Sequence, residues 1–325
     1  MKSRVQIKHD SGILYVGIDV SKDKLAVHAG DLFEEEIDNT RRAIARMAKT
    51  IGRGTDRPVR FVLEETGCYS LPVHLELDRL GQQVCVVNPS RVRHYAIGCG
   101  VMAKTDRIDA RIIRRFAEAN DCEPTPIPSE TRMLLRDLIR TRGLLVKIRT
   151  MIQTLRKMTV SPSSGTLLGE VDRFLRTKIN KLEEEIVRHG KEDEEIERVS
   201  RKLDELPGVA ALTATTIATL APELGTLGKR RAASLIGLAP FVHDSGKYKG
   251  QRRIGGGRWD LRHALYMPVL TAVQKDTTLR AFYRHLVDDR GKRKKIALAA
   301  AMRKMFIHMD RLVAGLNGKE EAMPT

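Results

Sequence analysis

Three prolines in five residues, Pro124, Pro126 and Pro128, divide this chain into two parts whose apolar residues recur with different periods. Proline fixes φ and removes a backbone donor, so neither a helix nor a central strand runs through such a segment. Before it the apolar runs are short and rich in β-branched residues; after it they repeat in steps of three and four. The chain therefore has to combine an α/β part with a helical part. Its 325 residues, with only 25 Gly and 12 Pro, suffice for two or three domains that each bury a core. With 42% hydrophobic residues, a disordered chain is excluded.

In the first part, residues 13–20, 24–29 and 33–38 read as strands, the first two as a hairpin. A helix at about 40–52 closes at Gly52 and Gly54, followed by a strand at 59–64, a helix at 70–80 and a strand at 83–87. That order predicts an α/β sheet domain over residues 1–125. From Leu134 to Leu155 the spacing is heptad-like, broken by Ser161-Pro-Ser-Ser-Gly165; a second seam runs from Leu175 to Ile186 and resumes from Ile196 to Leu206. Residues 130–205 are thus expected to form a long antiparallel coiled-coil helical hairpin, whose uncapped length favours a coiled-coil or oligomer contact. Residues 206–325 make a third, mainly helical domain. It opens on a Pro207-Gly208 turn feeding a helix, in the manner of a helix-hairpin-helix whose first amides accept a phosphate. A polar loop at 242–257 and helices at about 258–275 and 294–315 follow.

The formal net charge of +17 is concentrated: residues 131–158 carry +7 and residues 228–325 carry +13, on a nearly neutral remainder. Two such basic regions call for a polyanion partner, because each Lys or Arg on a phosphate releases condensed counterions. Arg149 and Arg156, on the first helix of the hairpin, are candidate nucleic-acid contacts. Cys68, Cys85, Cys99 and Cys122 form no Cys-x-x-Cys pair and are expected as reduced thiols. No run approaches the ~18 apolar residues of a membrane span, so no membrane partner and a cytoplasmic location are expected.

Four carboxylates stand out. Asp19 and Glu64 end the first and fourth apolar strands, while Asp106 and Asp109, three apart at the start of a helix, share a face. Phosphodiester chemistry with two Mg²⁺ ions requires such hard oxygen ligands. A strand-end carboxylate after an apolar run is costly unless paired or metal-bound.

Tyr15-Val-Gly-Ile-Asp-Val-Ser-Lys22, Leu63-Glu-Glu-Thr-Gly-Cys-Tyr69, Val87-Asn-Pro89 and Lys104-Thr-Asp-Arg-Ile-Asp-Ala110 resemble the four-carboxylate transposases of the insertion-sequence 110 family. Gly237-Leu-Ala-Pro240, Asp244-Ser-Gly246, Gly250-Gln-Arg-Arg-Ile-Gly-Gly-Gly-Arg258 and Arg262-His-Ala-Leu-Tyr-Met267 resemble the C-terminal domain of the same family. The resemblance implies a RuvC-like, RNase H-type first domain in which Asp19, Glu64, Asp106 and Asp109 hold Mg²⁺. It implies that Ser245 is the nucleophile of a covalent phosphoserine link. It also implies a bridge RNA that pairs with donor and target DNA, and a homo-oligomer, dimer to tetramer, with a composite site between subunits.

Near Ser245, Arg252, Arg253, Arg258 and Arg262 are placed to clamp a phosphate as charge develops. The chain departs from many relatives in carrying Ile254-Gly255-Gly256-Gly257 instead of an Ile-Ser-Lys-type segment. It also has Glu65 beside Glu64, and strand alternation selects Glu64, which shares a face with Val62. The leading expectation is an RNA-guided recombinase that moves its own insertion sequence. The alternatives are a metal-dependent nuclease or junction resolvase without a serine step, and an RNA/DNA-binding protein without catalysis. A sugar-kinase-like phosphotransferase fits poorly, since no second phosphate loop follows Gly17-Ile-Asp-Val. With 4% aromatic residues, contacts mainly to backbone and shape are expected, with sequence read by nucleic-acid pairing.

Overall fold

The computed structural model describes residues 12–65, 69–101, 106–241, 244–245, 248–250, 252–316 and 318; of Asp106, Arg107, Asp244, Ser245, Tyr248 and Lys249 it describes the backbone alone. The chain divides within the proline-rich segment into two units, Met1–Ile127 and Pro128–Thr325.

In the first unit the strands are β1 (Leu14–Val20), β2 (Lys24–His28), β3 (Glu34–Asp38), β4 (Val59–Glu64) and β5 (Gln83–Val87). They form one sheet in the order β3-β2-β1-β4-β5, antiparallel across β1, β2 and β3 and parallel across β1, β4 and β5. Both faces are covered, which is why β1 and β4 read as nearly continuous apolar runs. On one face Val16, Ile18, Phe61 and Leu63 pack under helices α1 (Arg41–Arg53) and α2 (Ser70–Arg79). On the other, Tyr15, Val62, Cys85 and Val87 pack under α3 (Pro89–Gly98) and α4 (Asp106–Asn120).

Helix α3 is not foreseen by the sequence pattern, because it buries only Val92 and Ala96. Its start signal is nevertheless present. Asn88 Oδ1 accepts the Ser90 N–H at 2.9 Å, and Pro89 occupies the first turn, where its missing donor costs nothing.

The second unit contains α5 (Glu130–Met158), α6 (Pro162–Gly190), α7 (Glu194–Asp204), α8 (Ala211–Leu220), α9 (Gly228–Leu235), α10 (Trp259–Lys275), α11 (Thr277–Arg284) and α12 (Lys294–Leu316). Helices α5 and α6 form the hairpin, crossed by ion pairs Arg142–Glu183 at 2.6 Å and Arg149–Asp172 at 3.0 Å. The expected break at 161–165 narrows to residues 159–161. Ser161 caps the Ser164 N–H, and Pro162 at the first helical position starts α6 instead of interrupting it. Toward the tip, Met151, Leu155, Met158, Leu167 and Phe174 are exposed; of these only Leu155 belongs to the predicted seam, whose Leu175, Ile179 and Ile186 are buried.

Within the polar segment 242–257 the described residues include a short hairpin: Asp244–Ser245 (β6) pairs with Tyr248–Lys249 (β7), and Phe241 bridges Arg253. Strands of two residues are too short to show a period. The two residues between them, 246 and 247, lie outside the described residues. Helices α9 and α11, eight residues each, are likewise too short for a sequence signal.

A buried carboxylate holds this unit together. Asp310 on α12, 3% exposed, accepts N–H groups from Gly225 at 2.8 Å, Leu227 at 3.3 Å and Gly228 at 2.8 Å. Replacing it strands three donors in a dry interior. Asp310→Ala is expected to cost about 2–4 kcal/mol, read as a lower urea midpoint for helix loss; a midpoint within error of wild type would contradict the role.

Candidate active site and nucleic-acid interface

Asp19 and Glu64 are brought side by side by strand register. Strands β1 and β4 run parallel with Ile18 opposite Leu63, so the next residues, Asp19 and Glu64, stand at the same level and on the same face. That face carries Tyr15 and Val62 and lies under α4. Glu64, rather than Glu65, is the last residue of β4 and pairs with Val87.

Helix α4 brings the other pair. Its C-terminal end is fixed near the start of β1, where the Tyr15 hydroxyl donates to Asp121 Oδ1 at 2.6 Å and Arg60 donates to the Cys122 carbonyl at 3.2 Å. Burial, with the Asp121 hydrogen bond, pushes the Tyr15 phenol up to about 12, so this latch does not titrate in the physiological range. Further along, Gly17 has no Cβ to hold the helix away. A Cβ there would overlap the Ala110 carbonyl oxygen and come within 2.7 Å of Arg114 N. The helix thus runs back along β1, and its first turn, with Asp106 and Asp109, lies toward the strand end that carries Asp19. Asp19, Glu64 and Asp109 are all half-buried, while the side chain of Asp106 lies outside the described residues. Among the described residues no three His, Cys, Asp or Glu side chains are grouped tightly enough to hold a metal ion. What these residues share is a face and a level.

Ser245 lies on β6, its backbone paired with Tyr248; its side chain is outside the described residues. The arginines that follow it divide by duty. Arg258 is engaged by Glu223 in a two-pronged ion pair and donates to the Leu220 carbonyl at 2.9 Å. Arg262 donates to the carbonyls of Ile236 at 3.1 Å and Gly256 at 3.0 Å. Both therefore build the site's frame. Arg252 and Arg253 are exposed, and among the described residues neither has a carboxylate partner. The glycine-rich segment serves the same frame: Gly237 and Gly257 both have positive φ, and a Cβ on either would overlap backbone of the other segment. On the hairpin, Arg149 is held by Asp172, whereas Arg156 is exposed beside Gly169.

Nothing in the local sequence marks Glu223 as the partner of Arg258, 35 residues away. Burial alone would raise the Glu223 carboxyl, but the Arg258 hydrogen bonds and charge outweigh it and hold it below its ordinary value of 4.5. A depressed carboxyl contributes stability that is present above its unfolded pKa and lost as pH falls through the folded one. The second unit should therefore lose stability below about pH 4.5, and Glu223→Gln should remove part of that loss. Melting temperatures of both proteins between pH 3 and 7 test this; parallel pH profiles would contradict it.

Two further features escape sequence reasoning. Trp259, the single tryptophan, stacks on His263 with ring centroids 4.9 Å apart and carries Lys147 Nζ 4.8 Å from its ring centre. The Pro207-Gly208 turn, read as a phosphate-accepting element, packs on α10: a Cβ on Gly208 would stand 2.5 Å from the Pro268 carbonyl oxygen. Cys85, Cys99 and Cys122 are free thiols, and Cys68 lies outside the described residues. Among the described residues no helix is long and apolar enough to cross a membrane.

Comparison with known proteins gives this arrangement its class. Residues 16–159 match a family model described as a transposase, of the DEDD type of IS110. Residues 200–284 match one described as "Transposase IS116/IS110/IS902 family". Among curated proteins the chain is similar to the pilin gene-inverting proteins of Moraxella lacunata and Moraxella bovis. Each is 26% identical over 76% of this chain and 78% of theirs. It is also similar to the transposase for insertion sequence element IS1328 of Yersinia enterocolitica, 24% identical over 72% of this chain and 76% of that protein. The fold and these matches, which together span well over half of the chain, define an enzyme of the DNA transposase and recombinase class. Within that class, the chain belongs to the IS110 family.

Proposed function

We propose that the protein moves an insertion sequence by cutting and rejoining donor and target DNA under the guidance of a bridge RNA, through a covalent phosphoserine intermediate on Ser245. The observation that supports this reading most is that Asp19 and Glu64 stand level on one sheet face, with the first turn of α4 lying toward the same strand end. The strand order, with two antiparallel and two parallel neighbour pairs, supports a RuvC-like, RNase H-type assignment of residues 1–125. On this reading residues 130–205 are the helical hairpin and residues 206–325 the domain that supplies the serine. The relatives named as gene-inverting proteins support site-directed rearrangement over simple hydrolysis.

The donor set fits Mg²⁺ in its chemistry: all ligands are carboxylate oxygens, set at two strand ends and at the positive end of a helix. Asp19, Glu64 and Asp109 would hold the ion together with Asp106. Bound there, Mg²⁺ would lower the proton affinity of an attacking hydroxyl and offset charge on the phosphate. In the strand exchange the bond between Ser245 Oγ and phosphorus forms as a phosphorus–oxygen bond of the DNA breaks. A hydroxyl end leaves with the proton, and the phosphoester is kept for rejoining. Arg252 and Arg253, exposed next to β6, bind the phosphate, while Arg258 and Arg262 keep their segment in shape. The exposed apolar residues at the hairpin tip support assembly into a dimer or tetramer.

Recovery of nucleic acid from the purified protein, followed by strand transfer on a matched donor and target, tests the reading. A single co-purifying RNA and Mg²⁺-dependent recombinant product are expected. Recombination that survives removal of the RNA would overturn the guided part.

A further inference from the structure

The family match ends at Arg284. Immediately beyond it the chain makes one turn of π-helix, His285–Asp289, and then runs Arg290-Gly-Lys-Arg-Lys-Lys295 into α12. Five cations in six residues are exposed, and among the described residues none of them has a carboxylate partner. Of the two acids on the π turn, Asp289 is engaged by His285 Nδ1 at 2.8 Å, and Asp288 points into solvent.

These cations do not sit on a loose tail. The Arg290 N–H donates to the His285 carbonyl at 3.0 Å and the Lys292 N–H to that of Leu286 at 2.9 Å. The Arg293 carbonyl accepts from Ile296 at 2.8 Å and Ala297 at 3.1 Å, and Ala297 and Leu298 are buried directly afterwards. The charges are therefore displayed from a held backbone. They also crowd the positive end of α12, whose first turn has no acidic residue. Like charges beside one another and at the wrong end of a helix dipole repel, and a bound polyanion relieves both terms.

We propose that Arg290–Lys295 is a grip for a phosphodiester backbone, of DNA or RNA, that reads no sequence and uses neither the carboxylates nor Ser245. The proposal rests on the reading that the protein acts on nucleic acid. A polymer with regularly spaced charges suits a run of cations displayed along the chain. In this segment Ile296 is the one exposed large apolar residue, too little to anchor an anionic membrane.

The test uses the full chain and a Lys292→Gln/Arg293→Gln/Lys294→Gln/Lys295→Gln variant. Binding is measured against salt for an arbitrary duplex DNA, a hairpin RNA and vesicles of mixed phosphatidylserine and phosphatidylcholine. Each lost phosphate contact removes roughly 0.9 from the slope of log K on log salt for a duplex. A slope shallower by about 2–4 on DNA or on RNA is expected, and the polymer that changes is the one gripped. The melting temperature should stay level or rise as repulsion is removed. Lys294→Gln/Lys295→Gln alone should give about half the slope change, which guards against a misfolded quadruple variant. Unchanged slopes on both polymers, or a loss confined to vesicles, would overturn the proposal. Wild-type protein that binds neither polymer would instead sink the nucleic-acid reading beneath it.

Discussion

Asp19→Asn protein is expected to bind its DNA almost normally and to cut it about a thousandfold more slowly, since under the proposed mechanism it loses a ligand charge at a metal-assisted phosphoryl transfer, which removes several kcal/mol. Asn keeps the size and the hydrogen-bonding shape of Asp but not the charge. Asp19 is half-buried at the end of β1, beside Glu64 and on the face covered by α4. The measurement is single-turnover cleavage of a labelled donor at saturating protein, with binding followed separately. Cleavage within tenfold of wild type would show that the strand-end carboxylate does not serve the chemistry. Weakened binding with an unchanged cleavage rate would place Asp19 in substrate recognition.

The second large effect concerns Gly17, two residues before Asp19. Gly17→Val would drive its Cβ into the backbone of α4 at Ala110 and Arg114, and backbone gives way less readily than a side-chain tip. Helix α4 would have to lift off β1, opening the contacts of Ile113 and Phe116, both buried. A cost of about 3 kcal/mol or more is expected, with Gly17→Ala in the same direction. Because the same helix carries Asp109, cleavage should fall further than the folded fraction does. Urea unfolding and cleavage at a temperature where the variant is folded separate the two effects. A variant with wild-type stability would contradict the packing of α4 on β1.

Much of the first unit is legible in the sequence because its signals are local. The run ending in Asp19 is apolar on both faces, since helices cover both, and period-2 alternation alone distinguishes Glu64 from Glu65. Helix α3 escapes because two buried residues make no stripe, although Asn88-Pro89 announces its start. In the second unit the long helices show through their heptads, whereas α9, α11 and the β6–β7 hairpin fall below the length at which a period exists. The division of labour among the arginines was not legible at all. Arg258 looks like Arg252 in sequence, and only folding brings Glu223 onto one of them. The close approach of the Gly237 and Gly257 turns has the same character: glycine announces freedom, and the structure shows what it is used for.

The most direct test is a trapping experiment. Wild-type, Ser245→Ala and Asp19→Asn proteins are incubated with end-labelled donor DNA, co-purified RNA and Mg²⁺, quenched in denaturant, and resolved for label that travels with protein. The proposed mechanism predicts a covalent adduct for wild type, mapped by peptide analysis to Ser245, and none for either variant. Recombinant product from Ser245→Ala together with none from Asp19→Asn would contradict it, assigning the chemistry to the carboxylates alone and the protein to metal-dependent strand transfer without a serine step.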